Sequence, residues 1–275
     1  MDYYELLGLN KEPFAMTPDP NFFYQSKIHG ECLNRLEISL RLNRGLNVVI
    51  GGVGSGKTTL SRLLLGRFVH FGKDFRFHLI LDPSWKDDYE FLYYLMKLFG
   101  LDNFSGLQTD MMDEIEHYLL DMAISQQKKI VIIIDEGQKM NSSQIEILRT
   151  LLNFETNNAK LIQIIIFAQN EFKALLDKHD NFKDRIAFAY TLNPLTLGET
   201  GKFIQHRLKI AGLPEDVEIF TENAVDMIYE KTNGYPRKIV KACHNLLLDM
   251  IVDEKNVVQS EDVFKRMKDS DPFNV

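Results

Sequence analysis

The sequence predicts an α/β fold, an open parallel sheet covered by helices on both faces and followed by a small all-helical C-terminal domain. Three observations carry this. Short apolar strands alternate with helical patterns up to about residue 192. Residues 130–134 form a continuous β-branched run, as expected of a strand buried on both faces of a parallel sheet. After Pro194 only helical periodicity remains.

In chain order, the first 25 residues are rich in turn formers and aromatics and read as an ordered but irregular lead segment. Ser26 is placed to cap a helix in which Ile28, Cys32, Leu33, Leu36 and Leu40 share one face, ending near Gly45. Residues 46–50 form a short apolar strand, and a glycine loop leads into a helix over 58–71. A second strand spans 75–81, and two helical patterns cover 87–99 and 109–126. The strand at 130–134 precedes a helix at 142–154 and a strand at 161–167. A helix near 171–178 and a last strand around 189–192 complete the sheet domain. Helices follow at 199–211, 221–231, 237–252 and 260–267. The boundaries expected are a lead segment at 1–25, a nucleotide-binding α/β domain at 26–195 and a helical domain at 196–275.

Composition bounds the function. The 275 residues are 45% apolar and 26% charged, with 32 basic and 39 acidic side chains and a net charge of −7. A dedicated nucleic-acid binder usually carries the opposite sign, so charge disfavours DNA while leaving room for a local basic patch. Cys32 and Cys243 match no metal or redox spacing and read as buried thiols in a reducing compartment. No basic-then-apolar signal opens the chain, and its apolar runs are too short to cross a bilayer, so the expectation is a cytoplasmic protein.

Chemistry enters at Gly51, Gly52, Val53, Gly54, Ser55, Gly56, Lys57 and Thr58, a complete GxxxxGK[ST] P-loop between a strand and a helix. Glycines let the backbone curl so that successive N–H groups face a phosphate, and the helix start adds its own N–H groups and positive dipole end. Lys57 then reaches the β- and γ-phosphates of ATP while the Thr58 hydroxyl ligates Mg²⁺. A chance glycine turn is the alternative, and the flanking strand and helix weigh against it. The strand at 130–134 ends in Asp135 and Glu136, where ligands bind in open α/β sheets. Asp135 is placed to hold Mg²⁺, and Glu136 to polarise the water that attacks the γ-phosphate. A second carboxylate beside the metal aspartate favours hydrolysis over transfer to a metabolite.

Three further positions keep two readings each. Arg237, in Gly234-Tyr235-Pro236-Arg237, is held by a fixed turn and can contact a γ-phosphate, or can simply be an exposed arginine at a helix start. Gln169 can touch the phosphate or the attacking water, or be a loop amide. Arg185 can be a finger for a neighbouring subunit, or an arginine in a surface salt bridge. The aromatic residues from Tyr89 to Phe99 have helical spacing and read as core or subunit contact. Basic spots at Lys128-Lys129 and at Lys231, Arg237, Lys238 and Lys241 read as solvated helix faces.

With these residues in place the chain resembles the AAA+ ATPases, and within them the general secretion pathway protein A (ExeA-type) group. The distinctive part is the opening: Tyr3-Tyr4, Gly8-Leu9, Pro13-Phe14, Thr17-Pro18-Asp19-Pro20, then Tyr24, Ser26 and His29. The resemblance implies an AAA+ core with a five-stranded parallel sheet and a helical lid. It further implies that Gln169 is the sensor-1 residue, Pro236 and Arg237 the sensor-2 turn and Arg185 a finger. Nucleotide contacts extend to Thr59, and the stretch containing Phe14 and His29 lies near the adenine. Such proteins work as ring or helical homo-oligomers. Two features depart from the group: the chain ends at Val275 where secretion members often continue into a membrane helix, and Phe167-Ala168-Gln169-Asn170-Glu171 differs from Gly-Gln-Pro-Glu.

The resemblance therefore points to an ATPase serving assembly of a secretion or pilus-type envelope machine. It would act in the cytoplasm, or at the inner face of the membrane through partners or a C-terminal extension missing from this chain. A DNA-associated regulator of transposition, similar to TnsC-type ATPases, is the alternative. A nucleotide-gated scaffold with negligible turnover is a third reading, against which Glu136 speaks. A small-molecule kinase is disfavoured by the acidic pair.

Overall fold

The computed structural model describes residues 3–17, 19–68, 74–101, 107–156 and 160–268. Pro18 of the lead motif, the expected extension of the P-loop helix to residue 71 and the end of the chain at Val275 lie outside the described residues. These described residues gather into two compact units. One comprises His29–Gly52 and Leu60–Leu192, the other Met1–Ile28, Val53–Thr59 and Asn193–Val275.

The first unit is built on five parallel strands: β1 (Leu46–Gly51), β2 (Phe75–Ile80), β3 (Lys129–Ile134), β4 (Ile162–Ala168) and β5 (Ile186–Leu192). Their order in the sheet is β2-β3-β4-β1-β5. The chain around them forms α1 (Lys27–Arg41), α2 (Lys57–Phe68), α3 (Asp88–Phe99), α4 (Gln108–Leu120), α5 (Ser142–Leu151), α6 (Phe172–Leu176) and α7 (Asp180–Lys183). The sheet is the five-stranded α/β architecture that the alternation predicts.

Strands β1, β3 and β4 are central, and their side chains are buried on both faces, which is why their sequences are nearly continuous apolar runs. On one face Leu46, Val48, Ile132, Ile134, Ile164 and Ile166 share a core with Phe91, Leu95, Ile115 and Leu148 of α3, α4 and α5. Side chains alternate along a strand, so Asn47 and Gln163 point the other way, toward α1. There the Ser39 hydroxyl donates to Asn47, and Gln163 Nε2 donates to the Leu40 carbonyl at 3.1 Å. These bonds explain two polar residues inside otherwise apolar strands.

The second unit holds the helices after Pro194: α8 (Leu197–Ile210), α9 (Glu222–Thr232), α10 (Pro236–Val252) and α11 (Ser260–Lys268). Thr196 and Glu199 form a reciprocal capping box that starts α8. Their core, with Phe203, Ile204, Ile228, Ile239 and Leu247, also takes in Leu9, Phe14 and Phe22 of the lead segment. The compact units change close to the expected positions 25 and 195, after Ile28 and after Leu192, but they group the lead segment and Val53–Thr59 with the helices. Burial of three large apolar side chains joins the lead segment to the helices.

Candidate functional site

At its carboxyl end β3 continues into Asp135, whose N–H donates to the Ile80 carbonyl at 2.8 Å and whose side chain is 3% exposed. Asp135 Oδ1 accepts the Glu136 N–H at 2.9 Å, turning the chain sharply. Glu136 takes φ 54°, ψ 35°, a left-handed conformation that few non-glycine residues adopt. Gly137 follows because nothing larger fits: a Cβ there would lie 2.4 Å from Ile166 Cγ2. The short turn Gly137–Lys139 closes with a Lys139 Nζ to Asp82 Oδ2 ion pair at 2.7 Å. That bond and the Ser84 hydroxyl hold the Asp82 carboxyl below its ordinary range.

The Glu136 carboxylate is gripped by two amides. Gln138 Nε2 donates to Glu136 Oε2 at 2.6 Å, and Gln169 Nε2 donates to the same oxygen at 3.2 Å. Gln138 Oε1 in turn accepts the backbone N–H of Gln169 at 2.9 Å, just past the end of β4. Gln169, expected near a phosphate, is thus brought beside Glu136. Gln138 was not singled out in the sequence, where a lone glutamine after an acidic pair gives no signal of its own.

In the second unit, the segment Val53–Thr59 carries most of the P-loop motif. Gly54 and Gly56 sit at φ 76° and 98°, and α2 starts at Lys57 with no acidic residue in its first turn. Ser55 and Lys57 are buried, Thr58 and Thr59 half-buried, and Val53 is exposed. Gly51 and Gly52 precede the turn, Gly51 pairing with Leu192 in the sheet. The Arg237 N–H donates to the Gly54 carbonyl at 3.3 Å, and a Cβ on Gly54 would fall 2.7 Å from Arg237 Cβ. The glycine therefore lets the start of α10 approach the loop backbone. Pro236 occupies the first turn of α10, and Gly234 at φ 68° accepts the Leu195 N–H through its carbonyl at 2.9 Å. The Arg237 side chain is exposed.

The donors suit the expected ligands. Curled glycines at a helix start fit a phosphate, and the Thr58 hydroxyl and Asp135 carboxylate are hard oxygen ligands of the type Mg²⁺ prefers.

Phe14, His29 and Arg185 remain of the residues expected at the site. The Phe14 ring is fully buried, packed edge-on to Phe220 at 6.1 Å and beneath the Arg207 guanidinium. A ring with no exposed face cannot itself stack on a base, which leaves nearness to the adenine to the rest of the stretch from Phe14 to His29. His29 is buried on α1. Arg185 precedes β5, whose Ile186 pairs with Leu46 at the start of β1, whereas Asp135 and Gln169 follow the carboxyl ends of β3 and β4. Arg185 thus lies at the opposite end of the strands from the acidic pair. Its Nε makes no hydrogen bond among the described residues.

Residues 40–176 match the AAA domain family. Over 251 residues the chain is 32% identical to general secretion pathway protein A of Aeromonas hydrophila, an alignment covering 90% of this chain and 44% of that protein. The chain therefore spans less than half the length of this relative. Among solved structures, the ORC2 protein of Aeropyrum pernix in ADPNP and ADP complexes superposes with a TM-score of 0.68 at 15% identity, over 97% of this chain and 73% of that one. Cdc6p from Pyrobaculum aerophilum gives 0.68 at 17% identity, over 95% and 73%. At such identities the likeness speaks for the fold.

Proposed function

Because the chain carries an AAA domain in an AAA+ fold, we propose that it binds Mg-ATP through its P-loop and hydrolyses it, with Glu136 directing the attacking water. The observation that carries this reading is the Asp135-Glu136 pair at the end of central strand β3, downstream of a complete P-loop. The N–H groups of 51–58 cradle the phosphates, and Lys57 neutralises the β- and γ-oxygens. Thr58 and Asp135 would be the ligands of Mg²⁺, which would offset the charge of the phosphate oxygens. Glu136 accepts a proton from water, and Arg237 senses the γ-phosphate.

Lys57→Ala is expected to weaken ATP binding at least about tenfold. Glu136→Gln is expected to bind ATP as the wild type does while turnover falls at least about 100-fold. Fluorescent-nucleotide titration and phosphate release measure the two. A Glu136→Gln protein that keeps most of its turnover removes Glu136 as the base.

Similarity to general secretion pathway protein A over nine-tenths of this chain supports a role in building a secretion or pilus-type envelope machine. In this reading the protein acts in the cytoplasm or, through partners, at the inner face of the cell membrane. No helix among the described residues is long and apolar enough to cross a membrane. The net charge of −7 weighs against a DNA partner of the transposition-regulator kind.

A further inference from the structure

We propose that Gln138 is a positioning residue for hydrolysis: it fixes the Glu136 carboxylate by one oxygen, leaves the other to the attacking water, and ties both to the end of β4. The inference rests on Glu136 being the base, as proposed above.

Amide orientation is the first support. A backbone N–H can only donate, so the Gln138 atom 2.9 Å from the Gln169 nitrogen must be the oxygen. The other end is then the NH₂ group, and it must donate to Glu136 Oε2, 2.6 Å away. A neighbour outside the carboxylate therefore decides which way the amide faces.

The second support is the distribution of bonds on Glu136. Both amide donors, Gln138 and Gln169, fall on Oε2, and Oε1 takes no hydrogen bond among the described residues. A carboxylate held by one oxygen has a set plane and a defined open lone pair, which is what directing a water requires. The turn beneath it has little freedom. Glu136 is left-handed, Gly137 is packed on Ile166, and Lys139 is paired with Asp82. Gln138 is the one side chain of this turn that bonds both Glu136 and the backbone after β4, and so ties the base to that segment beside the direct bond from Gln169 Nε2.

Gln138→Leu keeps the bulk and removes both hydrogen bonds. Turnover is expected to fall about 10- to 100-fold, with ATP affinity and KM within about threefold of wild type. In a Glu136→Gln background, adding Gln138→Leu should change turnover no further, because the residues act as a unit. Gln138→Asn supplies a second test that keeps the amide. One methylene shorter, it cannot span both Glu136 and the Gln169 N–H, so kcat should fall about 10-fold or more with KM within about threefold, and it should cost nothing further in the Glu136→Gln background. A residue that only supports the fold costs turnover in both backgrounds alike.

Wild-type turnover in Gln138→Leu, or in Gln138→Asn, overturns the proposal while leaving Glu136 as the base. Further loss on adding Gln138→Leu to Glu136→Gln also overturns it, by showing that Gln138 acts elsewhere. If Glu136→Gln itself turns over normally, or the wild type does not turn over at all, the reading of the base fails first and this inference falls with it. Should Gln138→Leu not fold, as judged by circular dichroism, Gln138→Asn in the wild-type and Glu136→Gln backgrounds decides.

Discussion

At the residue scale, a group's chemistry here follows from what covers it. Cys32 and Cys243 are buried, and burial pushes both thiols up, Cys32 to about 12, so neither is a reactive thiolate. His78 on β2 is a titrating case. Its ring lies edge-on to Phe99 at 5.0 Å, and its Nε2 finds no partner among the described residues. Burial, with the charge of Arg76 second, lowers its pKa to about 4. An unfolded histidine titrates near 6.5, so between about 6.5 and 4 the unfolded chain binds a proton that the folded chain refuses. Stability from this group is therefore complete above about 6.5 and declines as pH falls toward 4. Between pH 7.5 and 5 the loss is about 2 kcal/mol. Urea unfolding at the two pH values should show that loss in the wild type and about 2 kcal/mol less in His78→Leu. Equal slopes in both proteins rule His78 out as the source.

At the element scale, legibility in the sequence follows burial. Strands β1, β3 and β4 are readable almost to the residue because both faces are covered and their apolar runs are unbroken. The edge strand β5 alternates between half-buried and exposed residues up to the buried Leu192, so only its end, from 189, is legible as a strand although it begins at Ile186. The four residues of α7 are too few to show a helical period, and α7 was missed. The P-loop and the acidic pair are legible because their chemistry is written in consecutive residues, whereas the Gln138 clamp depends on β4 arriving from 31 residues away. The lead segment has no periodicity to read, and its anchoring is tertiary. Arg207 Nε donates to the Pro13 carbonyl at 2.7 Å, and its guanidinium lies over Phe14, Phe22 and Phe203 at 5.9, 5.1 and 5.6 Å. Burial lowers its pKa to about 10, which leaves it charged at neutral pH. Arg207→Ala removes the stem packing, the ring contacts and the bond to Pro13, and is expected to cost about 3 kcal/mol. Limited proteolysis should then cut the lead segment before the helices. A variant with unchanged melting temperature and cleavage pattern denies Arg207 this anchoring role.

For the whole molecule, the position of Arg185 has a consequence that no single residue shows. It sits at the amino end of the sheet, whereas Asp135 and Glu136 sit at the carboxyl end, with three strand-to-strand steps between β3 and β5. Strand rise and spacing put about 20 Å between these places, too far for an arginine to serve the acidic pair of its own chain. If Arg185 is a finger, it must act on another subunit, and turnover per subunit must then rise with protein concentration as subunits assemble. Arg185→Ala should bind ATP normally and lose turnover at every concentration. Mixing supplies the decisive comparison. Arg185→Ala keeps its base and Glu136→Gln keeps its finger, so sites pairing the first protein's Glu136 with the second protein's Arg185 should recover part of the activity that neither protein has alone. An inactive mixture of two proteins that still co-assemble, or an Arg185→Ala rate equal to wild type, removes Arg185 as the finger. Repeating the concentration series with double-stranded DNA separates the partners. Turnover that ignores DNA keeps the secretion-type reading, and turnover or assembly that requires DNA replaces it with the transposition-regulator reading.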